Sequence, residues 1–131
     1  MGLPAAKQGD QVIATDFHIV LVPGTPPTPQ TLPHPFTGVI NGGLSSNVRI
    51  MGRPAAVAGS TAVNTPPHIP TPPGTAFPRP PANKATLQQG SPTVMINGKP
   101  AARTGDKALT CNDPVDLPAG TVVAAGTVLI G

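Results

Sequence analysis

The sequence lacks the large side chains on which most small hydrophobic cores are built. It has no tryptophan, tyrosine or glutamate, and only three phenylalanines among 131 residues. Charged residues make up 10% of the chain, which is few for a chain that stays unfolded by self-repulsion. Proline and glycine number 20 and 15, and both are poor in helix interiors. These scarcities exclude a mainly helical fold and an aromatic core. They leave short strands, turns and loops that need an additional cross-link.

Cysteine is almost absent too, since Cys111 is the single one. One cysteine cannot form an intrachain disulfide, which excludes a disulfide-stapled secreted domain. The longest apolar runs, around residues 19–22 and 122–130, are too short to cross a bilayer of about 30 Å. The first residues do not have the pattern of a secretory signal. We expect a protein made in the cytoplasm without a signal peptide and without stable membrane anchoring.

The net charge of +3 does not indicate a nucleic-acid-binding protein. The eight lysines and arginines are scattered along the chain, and the three phenylalanines form no ladder on which bases could stack. We therefore expect no nucleic-acid partner.

The sequence contains an internal repeat. Three segments read Pro-Ala-Ala, then two variable residues, then glycine and aspartate or serine, with spacings of 50 and 46 residues. Their motif residues are Pro4, Ala5, Ala6; Pro54, Ala55, Ala56; and Pro100, Ala101, Ala102, Arg103. Two copies follow an alternating apolar segment, at 48–53 and 94–99, and the second ends in Asn97-Gly98, a strong hairpin signal. Each unit is therefore predicted to be a strand, a tight turn and a short return strand.

The third hairpin is predicted to form from the two ends of the chain. Val128–Ile130 has the apolar pattern but no Pro-Ala-Ala after it, whereas residues 2–6 have the motif but no strand before it. Joining them gives three quasi-equivalent units in a closed ring. Two Pro-rich stretches, 23–35 and 66–81, are predicted to be rigid surface loops. Alternatively, they are polyproline segments of an adaptor protein that binds SH3-like domains.

Four possible metal ligands follow the repeats. His18 and His68 each lie 14 residues after the proline of their repeat, and Cys111 lies 11 residues after the third. A three-fold arrangement of the units would bring these positions to one axis, and His34 is available as a fourth donor. Four nitrogen and sulfur donors suit tetrahedral zinc. A zinc ion there would close long loops, so that metal binding supplies free energy of folding.

A zinc hydrolase is the enzymatic alternative, because three histidines and a bound water can generate hydroxide. Three features argue against it. Cys111 would fill the open position, the chain has no glutamate to act as general base, and no His-Glu-x-x-His motif is present. We predict that the protein is not an enzyme.

The stretch 90–106 resembles the most typical segment of the PAAR-repeat proteins, and Pro100–Arg103 spells the motif that names them. The ending at 126–131 is also similar, although the second copy has Val57 and Ser60 where arginine and aspartate are commoner. The resemblance implies a mainly β fold: a small conical domain of three pseudo-threefold β-hairpin repeats with Pro-rich loops, zinc-stapled near the apex. In that family three histidines and one cysteine bind the zinc. That role falls here on His18, His34, His68 and Cys111.

The resemblance also implies a function. Members of this family cap the trimeric valine-glycine-rich spike protein of type VI secretion systems and related contractile injection systems. We expect one tip per trimer, membrane puncturing by the pointed end, and possible attachment of effector proteins. The whole chain, 1–131, is expected to be a single PAAR-type domain with no fused effector domain. Such a tip would be delivered outside the cell or into a target cell on the spike.

Overall fold

The computed structural model describes residues 2–131 and leaves Met1 outside the described part. The described chain consists of β-strands and connecting turns, with no helix. The strands are β1 (Leu3–Pro4), β2 (Gln11–Val22), β3 (Thr28–Gly42), β4 (Arg49–Ile50), β5 (Arg53–Pro54), β6 (Thr61–Asn64), β7 (Lys84–Leu87), β8 (Met95–Ile96), β9 (Lys99–Pro100), β10 (Lys107–Thr110), β11 (Leu117–Val123) and β12 (Leu129–Ile130). The prediction of a mainly β fold is confirmed. Within this part of the chain, no helix has the length and hydrophobicity needed to span a bilayer.

Six strands close into a barrel in the order β10-β11-β2-β3-β6-β7. The side chains that fill it are small to medium-sized, and the largest of them is Phe36. The interior is tight there, because a Cβ atom at Gly38 would lie 2.7 Å from the Phe36 ring. A narrow barrel therefore replaces the large aromatic core that the composition excludes.

The longest element is the hairpin of β2 and β3, whose residues pair without interruption from Gln11↔Val39 to Val22↔Thr28. Only the last part of β3 also pairs with β6, from Gly38 onward. The residues of β3 before that point therefore lie along a sheet edge, where proline is tolerated because no ladder donor is needed on the open side.

The expectation that the whole stretch 23–35 is a loop is therefore wrong for residues 28–35, which belong to β3. Proline is therefore not a reliable loop signal here, because it also occurs in a strand whose outer edge is free. The second Pro-rich stretch contains no strand, apart from an isolated bridge between Ala76 and Leu21.

Three two-stranded ribbons lie beyond the barrel: β4-β5, β8-β9 and β1-β12. In β8-β9 the predicted turn is present, with φ of 53° at Asn97 and 78° at Gly98. In β1-β12 the two chain ends pair, as Leu3↔Ile130 and Pro4↔Leu129. The prediction that the end of the chain completes a hairpin with its beginning is confirmed.

The Pro-Ala-Ala segments meet in a closed ring of backbone hydrogen bonds. The amide of Ala6 donates to the carbonyl of Ala102 at 2.9 Å, that of Ala102 to Ala56 at 3.1 Å, and that of Ala56 to Ala6 at 3.0 Å. All three alanines are fully buried. A methyl group is small enough to let three backbones approach to hydrogen-bond distance, so a larger side chain would separate the segments.

The turn after each motif is closed in the same way in all three units. The amide of Arg103 donates to Asp106 Oδ2 at 2.7 Å, and the amide of Lys7 donates to the aspartate three residues on at 3.0 Å. In the second unit, the Val57 amide donates to the hydroxyl of Ser60 at 2.9 Å. The serine at this position therefore preserves the contact that aspartate makes elsewhere.

Below the ring, each ribbon contributes one isoleucine to a second small core: Ile50, Ile96 and Ile130, which are 6–8% exposed. In β12 the neighbouring Leu129 points outward and is 58% exposed. Ile130 and Leu129 differ in burial and not in hydrophobicity. They are therefore a matched pair for testing whether β12 packs with one side facing the second core.

We predict that Ile130→Ala lowers the free energy of unfolding by about 2–5 kcal/mol, because it leaves a cavity in this core. Leu129→Ala should change it by less than about 0.5 kcal/mol, since that side chain lies at the surface. Denaturant unfolding of both variants measures the difference. Equal effects would contradict the inward and outward assignment of β12.

Candidate metal centre

Three equivalent strands lead from the ring toward one buried cluster. β2, β6 and β10 begin at Gln11, Thr61 and Lys107, each seven residues after the proline of its repeat. They run through the barrel away from the ring. The similar offsets of His18, His68 and Cys111 from their repeats therefore place all three toward the same end of the barrel.

The strand period decides which side chains face inward on β2. Val12, Asp16 and His18 are buried, whereas Phe17 between the last two is 46% exposed. This is the period of two expected for a strand, with the polar residues on the inner face. Cys111 comes directly after β10 and is buried as well.

Four side chains form a group that could hold a metal ion. They are Asp16, His18, His68 and Cys111. One ligand atom from each of them lies within 4.8 Å of the other three, and all four side chains are buried. Three of the four residues predicted from the sequence are thus brought together. The fourth member, Asp16, was not predicted.

His34 lies beside this group and not within it. Its ring centre is 5.4 Å from that of His18 and 5.5 Å from that of His68, and these two are 5.0 Å apart. Three imidazoles that each give one nitrogen to a tetrahedral ion, at about 2.0–2.1 Å, have ring centres roughly 5 Å apart. The ring positions therefore suit a three-histidine site, although His34 Nε2 accepts a hydrogen bond from the Thr71 amide at 3.2 Å.

One nitrogen in the cluster has no partner. His18 Nε2 is buried and makes no hydrogen bond, while Nδ1 of the same ring lies 3.4 Å from Asp113 Oδ2. A buried polar atom without a partner is costly and rare in folded proteins. A bound metal ion would satisfy this nitrogen, and the residues present therefore fit a metal.

The other two histidines also have an acceptor at one ring nitrogen. His34 Nδ1 lies 2.9 Å from the carbonyl of Leu32, and His68 Nε2 lies 3.0 Å from Asp16 Oδ2. These contacts assign the proton of each ring to the nitrogen beside the acceptor. The other nitrogen then carries the lone pair, as in histidines that bind metals.

Burial favours the neutral form of three of the predicted ligands, His18, His34 and Cys111, before metal binds. It lowers the pKa of His18 and of His34. Burial, and then the charge of Asp16, raises the pKa of Cys111 to about 11. Neutral imidazoles are ready to bind a metal, whereas the Cys111 thiol must lose its proton when the metal binds.

A groove of about 340 Å³ opens beside His68. It is lined by Pro35, Thr37, Asn64, Thr65, Pro66, Pro67, His68, Ile69, Pro70, Thr71 and Pro72. Apart from His68, the lining residues are prolines, threonines, one asparagine and one isoleucine, so the groove presents no carboxylate, thiol or amine beside the cluster.

A family model of the PAAR motif matches residues 30–116, about two thirds of the chain. The chain belongs to the PAAR motif family. The match covers the second and third repeats together with His34, His68 and Cys111. No curated protein matches the chain. The resemblance drawn from the sequence is thereby confirmed, and the three repeats of this PAAR protein are the segments that form its alanine ring.

Sequence reasoning missed two carboxylates of the centre, Asp16 and Asp113. Each lies two residues from a predicted ligand, Asp16 before His18 and Asp113 after Cys111. In a strand, residues two apart share a face, so the spacing of Asp16 was a usable signal. Asp113 follows the end of β10, and its contact with His18 depends on how that segment folds back.

We predict that the purified protein binds about one divalent metal ion per chain and that His18→Ala and Cys111→Ser abolish the binding, because each removes one of four donors. Elemental analysis after gel filtration measures the content. Phe17→Ala is the matched control on the outer face of β2 and should retain the metal.

His34→Ala separates the two possible ligand sets. Loss of the metal would place His34 among the ligands, and full retention would leave the set at Asp16, His18, His68 and Cys111. Unchanged metal content in His18→Ala would contradict the site itself.

Proposed function

We propose that this PAAR protein is a non-catalytic, zinc-bound tip that caps the trimeric spike of a type VI or related contractile injection system. Membership of the PAAR motif family, which the match over residues 30–116 shows, carries this proposal. Members of the family sit on spike proteins, so the proposed partner is a trimeric valine-glycine-rich spike with one tip per trimer. The tip would leave the cell on the spike, and it would be able to carry effector proteins.

The chemistry of the donors supports zinc. Imidazole and thiolate are ligands that zinc accepts in tetrahedral structural sites. The proposed ligands are His18, His34, His68 and Cys111, with Asp16 beside them. Bound there, the ion would join β2 and β3 to the segments that follow β6 and β10. Its function would be to hold together an end of the barrel that lacks a large apolar core.

A closed site argues against catalysis. Four protein donors leave no position for the water that a zinc hydrolase activates. The groove beside His68 adds no second titratable group. The adaptor alternative is weakened by residues 28–35, which pair with β2 and so cannot serve as a free polyproline ligand.

The ribbons offer the docking surface. They carry large apolar side chains that are 39–58% exposed: Leu3, Met51, Met95, Val128 and Leu129. Such clusters at a surface mark interaction sites more often than single exposed residues do. Met51 in addition holds φ at 52°, a conformation that is costly for a residue other than glycine. Three ribbons around one ring match the three subunits at the end of a trimeric spike.

The proposed tip is the single domain predicted over residues 1–131. The alanine ring connects all three repeats, and the barrel strands continue directly from the turns of that ring. The second small core lies directly against the ring, because Ala5, Ala55 and Ala101 of the Pro-Ala-Ala segments belong to it.

We predict that Met95→Glu and Leu129→Glu each weaken binding to the spike trimer at least tenfold, because a buried unpaired carboxylate is costly at an apolar interface. Ile69→Glu is the control, since Ile69 is 77% exposed but lies beside the metal centre and away from the ribbons. Its binding should equal that of the unsubstituted protein. Calorimetry with the spike encoded by the same organism measures all three.

Native mass spectrometry of the complex should give one tip per spike trimer. Three tips per trimer, or an equal loss of binding in Ile69→Glu, would contradict the proposed docking face.

A further inference from the structure

We infer that Asp16 is the positioning residue of the metal centre and acts through His68 and Cys111 without being a ligand. This inference rests on the proposed zinc binding. It concerns a residue outside the ligand set predicted from the sequence.

Asp16 is fully buried, and both of its carboxylate oxygens accept hydrogen bonds. Oδ1 accepts from the Thr110 hydroxyl at 2.6 Å and from Asn112 Nδ2 at 3.4 Å. Oδ2 accepts from His68 Nε2 at 3.0 Å and from the Cys111 thiol at 3.5 Å. A buried carboxylate is tolerated when it is surrounded by donors in this way.

These contacts join three separate parts of the chain. Asp16 lies on β2, Thr110 and Cys111 lie at the end of β10, and His68 lies in the Pro-rich segment that contains no strand. No β-ladder fixes the position of His68, so the ring depends on contacts such as this one. By holding His68 and Cys111 on one oxygen, Asp16 sets the distance between two donors before a metal binds.

The hydrogen bonds also explain why Asp16 is not itself a ligand. All four lone pairs of the carboxylate are occupied by these donors, so Asp16 could bind the ion only after releasing one of them. Three imidazoles and one thiolate already supply four donors. A carboxylate that accepts the second N–H of a ligating histidine is the usual outer partner in such sites.

Charge supports the same role. A zinc ion held by one thiolate and neutral imidazoles retains one net positive charge, and this charge would be buried. The carboxylate of Asp16 balances it at short range without occupying a coordination position.

The test compares Asp16→Asn with the unsubstituted protein, using zinc competition for affinity and the absorption spectrum of the Co²⁺-loaded protein for the donor set. Asparagine has nearly the same shape but replaces one acceptor by an amide donor, which cannot accept from His68. We expect one ion per chain, a 10–100-fold weaker affinity, and unchanged positions of the Co²⁺ ligand-field and thiolate charge-transfer bands.

Thr110→Val provides a second variant, because it removes one donor to Oδ1 and leaves every metal donor in place. This variant should also weaken zinc binding, but by a smaller factor than Asp16→Asn. If Asp16→Asn does not fold, Thr110→Val tests the positioning role of Asp16 on its own. Shifted Co²⁺ bands in Asp16→Asn would show that Asp16 is a ligand. Unchanged affinity in Asp16→Asn or in Thr110→Val would also overturn the inference. If the proposed zinc site itself is wrong, the unsubstituted protein will bind no zinc, and this outcome is distinct from a failure of the role assigned to Asp16.

Discussion

The fold depends on the hydrogen bonds that join the three Pro-Ala-Ala segments into a ring. Ala6, Ala56 and Ala102 each donate to the next segment and accept from the previous one, so no segment is paired without the other two. Alanine is required because three backbones meet where no larger side chain fits. The ribbons lie on one side of this ring, and the barrel strands that follow each turn lie on the other side. The repeats, which are far apart in sequence, thus become one structural unit.

The candidate metal centre lies at the other end of these strands. Because β2, β6 and β10 start from equivalent points of the ring, His18 within β2 converges with His68 and Cys111, which follow β6 and β10. In a chain with so few large apolar residues, that end is filled by histidine, aspartate and cysteine side chains. Such a cluster is stable only when its polar atoms have partners. Asp16 and Asp113 supply acceptors for His68 and His18, and a metal would supply the partner that His18 Nε2 lacks.

The sequence motif and its spacing predicted the elements that contain or directly follow it, and the elements outside the motif were missed. The ribbons, the Asn97-Gly98 turn and the meeting of His18, His68 and Cys111 all follow from spacings within the repeats. β3, β7 and β11 occupy equivalent places in the three units, because Ile40, Leu87 and Val122 exchange backbone hydrogen bonds with the turn of their motif in the same way. These strands lie outside the Pro-Ala-Ala motif, so the closed six-stranded barrel was not predicted. Asp16 was missed because its strand reverses the usual pattern: the aspartate is buried, and its neighbour Phe17 is exposed. A pattern of apolar and polar residues cannot identify the inner face where the interior is a polar site.

We propose that two separate features hold this PAAR protein together, the alanine ring at one end and a metal ion in the candidate centre at the other. Hydrogen–deuterium exchange of the metal-loaded and metal-free protein tests it most directly, because it reports protection amide by amide. After chelation we expect exchange to rise in the segment around His68 and in the residues that follow Cys111. The ring amides of Ala6, Ala56 and Ala102 should remain protected. Loss of protection in the ring together with the metal centre, or no change at either end, would contradict the account.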